Sequence, residues 1–234
     1  MVNICLICRD RPWLTEQTLH SVRNTQVPAT CTILDDASLD PTYRIIQGYA
    51  AIPHPTMQFH VERRFKTTGS AGAARNQAIL ASERQFGRSD MLYAGDNDCF
   101  FTPGWLETLL EAWAVAKDLG YGILGGYNHP YHLPAEGTVD RVFNGIHSIQ
   151  ENLALSSQSW LMEWETWDRF GPLAEEPGVR KGEDWLMTQR VKAAGLKVGK
   201  IDPPVVLNCS RTDTFGQAVP GAELIQDFPG VRVE

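Results

Sequence analysis

The sequence predicts an α/β fold of three layers, a mostly parallel central sheet between two layers of helices. Three observations predict it. Short apolar runs rich in strand formers alternate with stretches of helical periodicity. Several of these runs end in acids. The helical stretches carry their own start and stop signals. Strand, helix, strand, repeated along a chain, yields parallel strands with crossover helices on both faces.

The elements follow in order. "NICLIC" (3–8) is the first strand. Pro12 fits the first turn of a helix through Leu14, Thr18 and Val22, spaced by four. "CTILDD" (31–36) and "MQFHV" (57–61) are the next strands, and Ala73 to Gln85 is a second helix. "DMLYAGD" (90–96) is the fourth strand. Thr102 is placed to cap a third helix with Pro103 in its first turn and Leu106, Leu109, Leu110 and Trp113 on one stripe. "YGILGG" (121–126) and "PVVLN" (204–208) complete the strands. A fourth helix carries Met187, Val191 and Ala194 and stops at Gly195. Residues 127–157 read as a hairpin or a loop over the site, and 209–234 as an irregular tail or lid. No internal boundary is visible, so 1–234 is expected to be one domain with a core of about 1–208.

Composition narrows the function. A formal net charge of −7 argues against a broad basic face for nucleic acid or anionic lipid. No apolar run reaches the ~18 residues of a membrane span, and the start, "MVNICLICRDR", lacks the pattern of a secretory leader. Five cysteines without framework spacing fit a reduced, cytoplasmic protein. Cys5 and Cys8 form a C-x-x-C, but three positions apart on a strand they face opposite sides, so they read as core. His129, His132 and His147 are assigned no role, and Trp105 and Trp113 read as helix-borne core residues.

In open sheets of this kind, ligands bind outside the carboxyl ends of the strands. That rule makes neighbours of Arg9, Asp10 and Arg11, of Asp35 and Asp36, and of Asp96 and Asp98. In "YAGDNDCFF" (93–101), Asp96 and Asp98 flank Asn97, and an extended segment projects the two acids to one side. Adjacent carboxylates repel unless a cation joins them, and oxygen ligands suit Mg²⁺ or Mn²⁺. Phe100 and Phe101 stand where an EF-hand loop would need a ligand and a glycine. A carboxylate after the second strand can accept from a ribose hydroxyl or a base N–H. "GSAGAARNQAI" (69–79) adds small residues and Arg75, suited to phosphate or to a structural ion pair. "KGEDWLMTQRV" (181–191) places Glu183 and Asp184 at a helix start, where acids are common in any case.

These segments together resemble the family two glycosyltransferases of the GT-A fold. "ICLICRDRP" is similar to that family's first strand and polar turn, "ILDDASLD" to its nucleotide-holding aspartates, and "AARNQAI" to its arginine–asparagine helix start. "YAGDNDCFFTPGWLETL" resembles its D-x-D strand and following helix, "SWLMEWETWDRFGPLAEE" its acceptor-side stretch and "GEDWLMTQRVKAAGLKV" its ED motif. The likeness runs in order from about residue 3 to 207. It implies an inverting transferase that moves a sugar from a nucleoside-diphosphate donor, a UDP-sugar foremost, to an acceptor hydroxyl with Mn²⁺ or Mg²⁺. On the donor side it implies Cys8, Arg9, Asp10 and Arg11 in the first turn, Asp35 at the base, Asp36 at the ribose, Arg75 beside the nucleotide, and Asp96 and Asn97 in the D-x-D strand. Asp98, with Asp96, would hold the metal, Asp184 would be the base and Glu183 its support. Trp160, Trp164 and Trp185, near the acceptor stretch, are candidates to stack on the acceptor.

Two departures stand out. The family commonly has a metal-ligating histidine after the last core strand, where "VVLNCSRTD" offers Asn208 and Asp213. Ile7 and Cys8 replace its usual Pro-Thr. Acceptors in the resembled family include glycans, lipids, small molecules, proteins and modified DNA bases, and the sequence does not choose among them. Two other classes compete. A nucleotidyltransferase would want a glycine-rich loop after the first strand, where this chain has "CRDRPW". A non-catalytic nucleotide- or glycan-binding relative would have no need of both Asp98 and Asp184.

Overall fold

The structure is a computed structural model that describes residues 1–39, 41–127, 134–175 and 182–209. Strands β1 (Val2–Cys8), β2 (Ala29–Asp36), β3 (Met57–Arg64) and β4 (Met91–Asp96) alternate with helices α1 (Pro12–Ser21), α2 (Thr42–Ala51) and α3 (Ala71–Phe86). A short strand β5 (Cys99–Phe101) leads to α4 (Trp105–Asp118) and β6 (Tyr121–Gly125). The second half adds β7 (Pro134–Phe143), β8 (His147–Asn152), β9 (Ser159–Glu163), α5 (Trp164–Phe170), α6 (Glu183–Ala193), β10 (Lys197–Asp202) and β11 (Val206–Asn208).

Nine strands form one sheet in the order β3-β2-β1-β4-β9-β6-β10-β8-β7. The first four are mutually parallel, and β6 pairs parallel with β10. Strand β9 is antiparallel to both β4 and β6 and joins the two halves. The segment 127–157, expected as hairpin or loop, contains the antiparallel pair β7–β8, which extends the sheet beyond β10. Strands β11 and β5 form a separate two-stranded ladder.

Both faces of the sheet are covered. Ile4, Leu6, Cys31, Ile33 and Tyr93 pack on one side with Trp105, Leu106, Leu109 and Trp113 of α4. Cys5, Leu34 and Leu92 pack on the other with Ala74, Ala78 and Ile79 of α3 and Met187 and Val191 of α6. Cys5 and Cys8 thus face opposite layers, and all five cysteines are buried free thiols. The Trp105 indole sits 4.6 Å from the Phe101 ring and donates its N–H to the Val22 carbonyl at 3.2 Å.

Some expectations need correction. Thr102 does not cap α4: its hydroxyl donates to the Val205 carbonyl at 3.0 Å, and left-handed Gly104 (φ 71°) precedes the helix. α2, β5, β9, α5 and β10 lacked a strong enough pattern to be named. His129, His132, Asp213 and the tail 210–234 lie outside the described residues. Among the described residues, no helix is long and apolar enough to cross a membrane.

Candidate active site

Parallel pairing sets the site. Cys8 stands level with Asp35 and Ile7 with Asp96, so the ends of β1, β2 and β4 open on one rim. Beyond β1 the chain turns through two consecutive left-handed residues, Asp10 (φ 53°) and Arg11 (φ 57°). Such conformations cost of order 1 kcal/mol or more each for non-glycine residues and persist where surroundings fix them. Here they are fixed. The Asp10 N–H donates to Ser38 Oγ at 2.8 Å, its carboxylate accepts the Leu39 N–H at 2.9 Å, and its carbonyl accepts from the Asn97 amide at 3.2 Å. The turn aims Arg11 at the acid strand, with its Nη1 3.1 Å from Asp98 Oδ2.

Asp98 is buried, and its backbone carbonyl accepts the Cys209 N–H at 2.6 Å. Asn208 pairs opposite Cys99 in the β11–β5 ladder, so it lies beside the acid. Helix α1 holds this ladder: the Thr18 hydroxyl donates to the Cys99 carbonyl at 2.8 Å and accepts its N–H at 3.1 Å.

Arg75 is the centre of the charge network. It is 3% exposed, and its two terminal nitrogens reach Asp96 Oδ1 at 2.5 Å and Glu183 Oε1 at 3.4 Å. Burial alone would lower its pKa, but Asp96, Glu183 and Asp184 together hold it above the ordinary value. Burial pushes Asp96 up to about 6, against the Arg75 charge and with help from Asp98 and Glu183. Glu183 is likewise raised, chiefly by burial. Glu183 and Asp184 open α6, and Asp184 Oδ1 accepts the Trp185 N–H at 2.8 Å.

Asp35 is fully buried, with Arg63 Nε 3.4 Å from its Oδ2. Burial raises its pKa, opposed by Ser38 and Arg63. The Arg63 guanidinium lies 4.1 Å from the Tyr43 ring centre. Arg63 was not singled out from the sequence, and Asn76 was read only as part of the arginine–asparagine helix start, with no role given to it. The first would have been found by extending the third strand to its true end, where the strand-end rule applies.

Several predicted site residues are placed elsewhere. Cys8 is 1% exposed within the core, and burial, with Asp35 nearby, pushes its thiol far up. A donor contact is therefore withdrawn. Asp36 accepts from the Thr67 hydroxyl (2.9 Å), the Thr68 N–H (2.8 Å) and the Thr68 hydroxyl (3.0 Å), which fastens the β3–α3 loop. Asn97 is turned inward to Thr15 Oγ1 at 2.7 Å. Trp160 is 1% exposed in the core, and its place as an acceptor platform is corrected to packing. Trp164 is buried and donates to Asn3 at 3.1 Å, near the start of β1 and so at the opposite end of the sheet from the rim. Trp185 is 51% exposed next to Asp184. Arg9 reaches Thr67 Oγ1 at 3.1 Å from the rim.

The donor set suits a hard divalent cation in part. Asp98, in the turn just before β5, and Asn208, on β11 opposite Cys99, carry oxygens of the right type, and Mg²⁺ or Mn²⁺ takes one or two carboxylates, with water and phosphate completing the shell. Among the described residues, no group of three or more His, Cys, Asp and Glu side chains forms a cage, so the remaining positions would fall to the substrate and solvent.

A large, mostly parallel sheet flanked by helices, with acids and a buried arginine gathered at its carboxyl rim, is the architecture of the GT-A glycosyltransferases. The chain belongs to glycosyl transferase family 2, whose family model matches residues 4–136. Its fold is similar to that of S. aureus TarS, with a TM-score of 0.63 at 15% identity over 88% of this chain and 36% of that one. It is also similar to the mannosyltransferase PcManGT from Pyrobaculum calidifontis in complex with GDP-Man and Mn²⁺, with a TM-score of 0.61 at 16% identity over 88% and 55% of the two chains. For S. aureus TarS 1–349 in complex with UDP-GlcNAc, the values are 0.61, 17%, 88% and 57%. At these identities the likeness shows the fold. The chain spans 36–57% of the length of these neighbours. No curated protein sequence matches the chain.

Proposed function

We propose that the chain is an inverting glycosyltransferase that moves a sugar from a nucleoside-diphosphate donor, a UDP-sugar foremost, to an acceptor hydroxyl in the cytoplasm. One observation carries the reading: Arg75 joins Asp96 of the D-x-D strand to Glu183 of the helix that bears Asp184. The donor acids and the acid pair of α6 therefore share one centre. The neighbours solved with UDP-GlcNAc and with GDP-Man and Mn²⁺ support the donor class.

The Asp35–Arg63 pair would meet the base, with an acceptor beside a donor. Arg11 and Arg9 would face the diphosphate. Asp98 and Asn208 would hold Mn²⁺ or Mg²⁺, which when bound neutralises charge on the leaving diphosphate. Asp184 would take the proton from the acceptor hydroxyl as that oxygen attacks the anomeric carbon. Displacement in one step inverts the anomeric centre. Trp185 beside Asp184 would stack on the acceptor.

The test is incubation with a panel of nucleotide sugars and Mn²⁺, following released nucleoside diphosphate. Asp98→Asn should weaken Mn²⁺-dependent UDP binding about tenfold by calorimetry. Asp184→Asn should leave that binding nearly intact and lower turnover by about two orders of magnitude or more. The reverse pattern would overturn the roles, and release of pyrophosphate would point to nucleotidyl transfer instead.

A further inference from the structure

We propose that Asn76 is a positioning residue for the catalytic acid pair, fastening the chain that approaches α6 while Arg75 fastens α6 itself. The inference rests on the reading of Asp184 as the base.

Gly72, Arg75 and Asn76 fall at spacings of three and four, so they share one face of α3. Asn76 is 3% exposed and turned wholly to the segment that follows α5. Its amide nitrogen donates to the Leu173 carbonyl at 3.0 Å and to Glu175 Oε1 at 2.7 Å. Its carbonyl oxygen accepts the Leu173 N–H at 3.0 Å. One side chain therefore satisfies both backbone groups of a buried residue, as a neighbouring strand would. Ser70 Oγ adds a contact to the Glu175 carbonyl at 3.4 Å.

Gly72 explains how close this contact is. A Cβ there would collide with the Ala174 carbonyl oxygen and would lie 3.2 Å from Glu183 Cβ. The approach segment and the first residue of α6 thus rest on the same point of α3. Arg75 grips Glu183 from the next position, and its other nitrogen holds Asp96. Residues 173–175, Glu183 and Asp96 are all referenced to two turns of one helix. Asp184, adjacent to Glu183, inherits its place from that clamp.

A merely structural asparagine would affect stability alone, whereas a positioning residue splits kinetic constants. Asn76→Asp keeps the acceptor for the Leu173 N–H but removes both amide donors and sets a carboxylate against Glu175. The expected result is unchanged UDP·Mn²⁺ affinity and donor KM, with turnover of the donor, water serving as acceptor, lower by about tenfold or more. Amide hydrogen exchange over residues 183–187 of the free protein should rise about tenfold in the same variant. Should Asn76→Asp fail to fold, Glu175→Ala at the exposed rim removes one of the bonds and should move exchange and turnover the same way, by less. Wild-type exchange at 183–187, or wild-type turnover in a variant whose exchange has risen, overturns the proposal, as does a loss of donor affinity in step with turnover. Failure of the underlying reading looks different: Asp184→Asn itself would then retain full turnover.

Discussion

At the residue scale, the site turns on what each polar group does when water is removed from it. Asp35 is the clearest case, because burial raises its pKa and Ser38 and Arg63 only partly offset that. In the window between its ordinary value and the raised one, the native state binds more protons than the unfolded chain. The stability it contributes is therefore full below the ordinary value and is lost as pH rises through the raised one. Chemical denaturation at pH values above the ordinary aspartate range should show this slope, and Asp35→Asn should reduce it. The tryptophans make a second residue-scale test. Trp160→Ala should cost about 3–5 kcal/mol, as for other large core truncations. Trp185→Ala should stay within about 0.5 kcal/mol of wild type while raising the KM for acceptor. Legibility divides along the same line. The positions of Asp96, Asp98, Glu183 and Asp184 at a strand end, the turn after it and a helix start could be read from the sequence, because an apolar run ends at Asp96 and a helical pattern begins at Glu183. The inward turn of Asn97 and the capture of Asp36 by Thr67 and Thr68 could not, because both depend on partners from another part of the chain, Thr15 on α1 for the first and the β3–α3 loop for the second.

At the element scale, β1, β2 and β4 were legible as short apolar runs, and α1 and α6 by Pro12 and Gly195. Strand β9 was not, since "SWLME" is short and carries three large apolar residues in a row without alternation; only its place between β4 and β6 makes it a strand. The start of α4 misled for a local reason: Thr102 found the Val205 carbonyl across the ladder, a partner that spacing along the chain cannot reveal. Close approach of elements sets another limit. Gly199 in β10 lies against the Tyr121 ring and the Gln150 carbonyl, with no room for a Cβ. Gly199→Ala should therefore destabilise by about 2–3 kcal/mol, measured by denaturant midpoint, although glycine-to-alanine changes in open strands are stabilising or neutral.

At the scale of the whole molecule, the charge is −7, yet the rim gathers Arg9 and Arg11 on the β1–α1 turn, Arg63 on β3 and Arg75 on α3. A polyanionic ligand that enters this rim joins them, and binding to the native state alone should raise the melting temperature. UDP with Mn²⁺ at about a hundred times its Kd should add about 2.7 kcal/mol, read as a thermal shift that Asp98→Asn reduces. The fold class was legible at this scale because repeated strand–helix units leave few topologies. The order of the sheet's second half was not, because β9 enters against the direction of its neighbours. That reversed strand has a consequence for biosynthesis. Until residues 159–163 leave the ribosome, β4 and β6 each present an open backbone edge, and the two halves of the sheet have nothing between them. Unpaired edges recruit foreign strands. Nascent chains stalled short of this keystone are thus exposed to misassembly, and one edge of β6 and of β8 stays open until β10 is made as well.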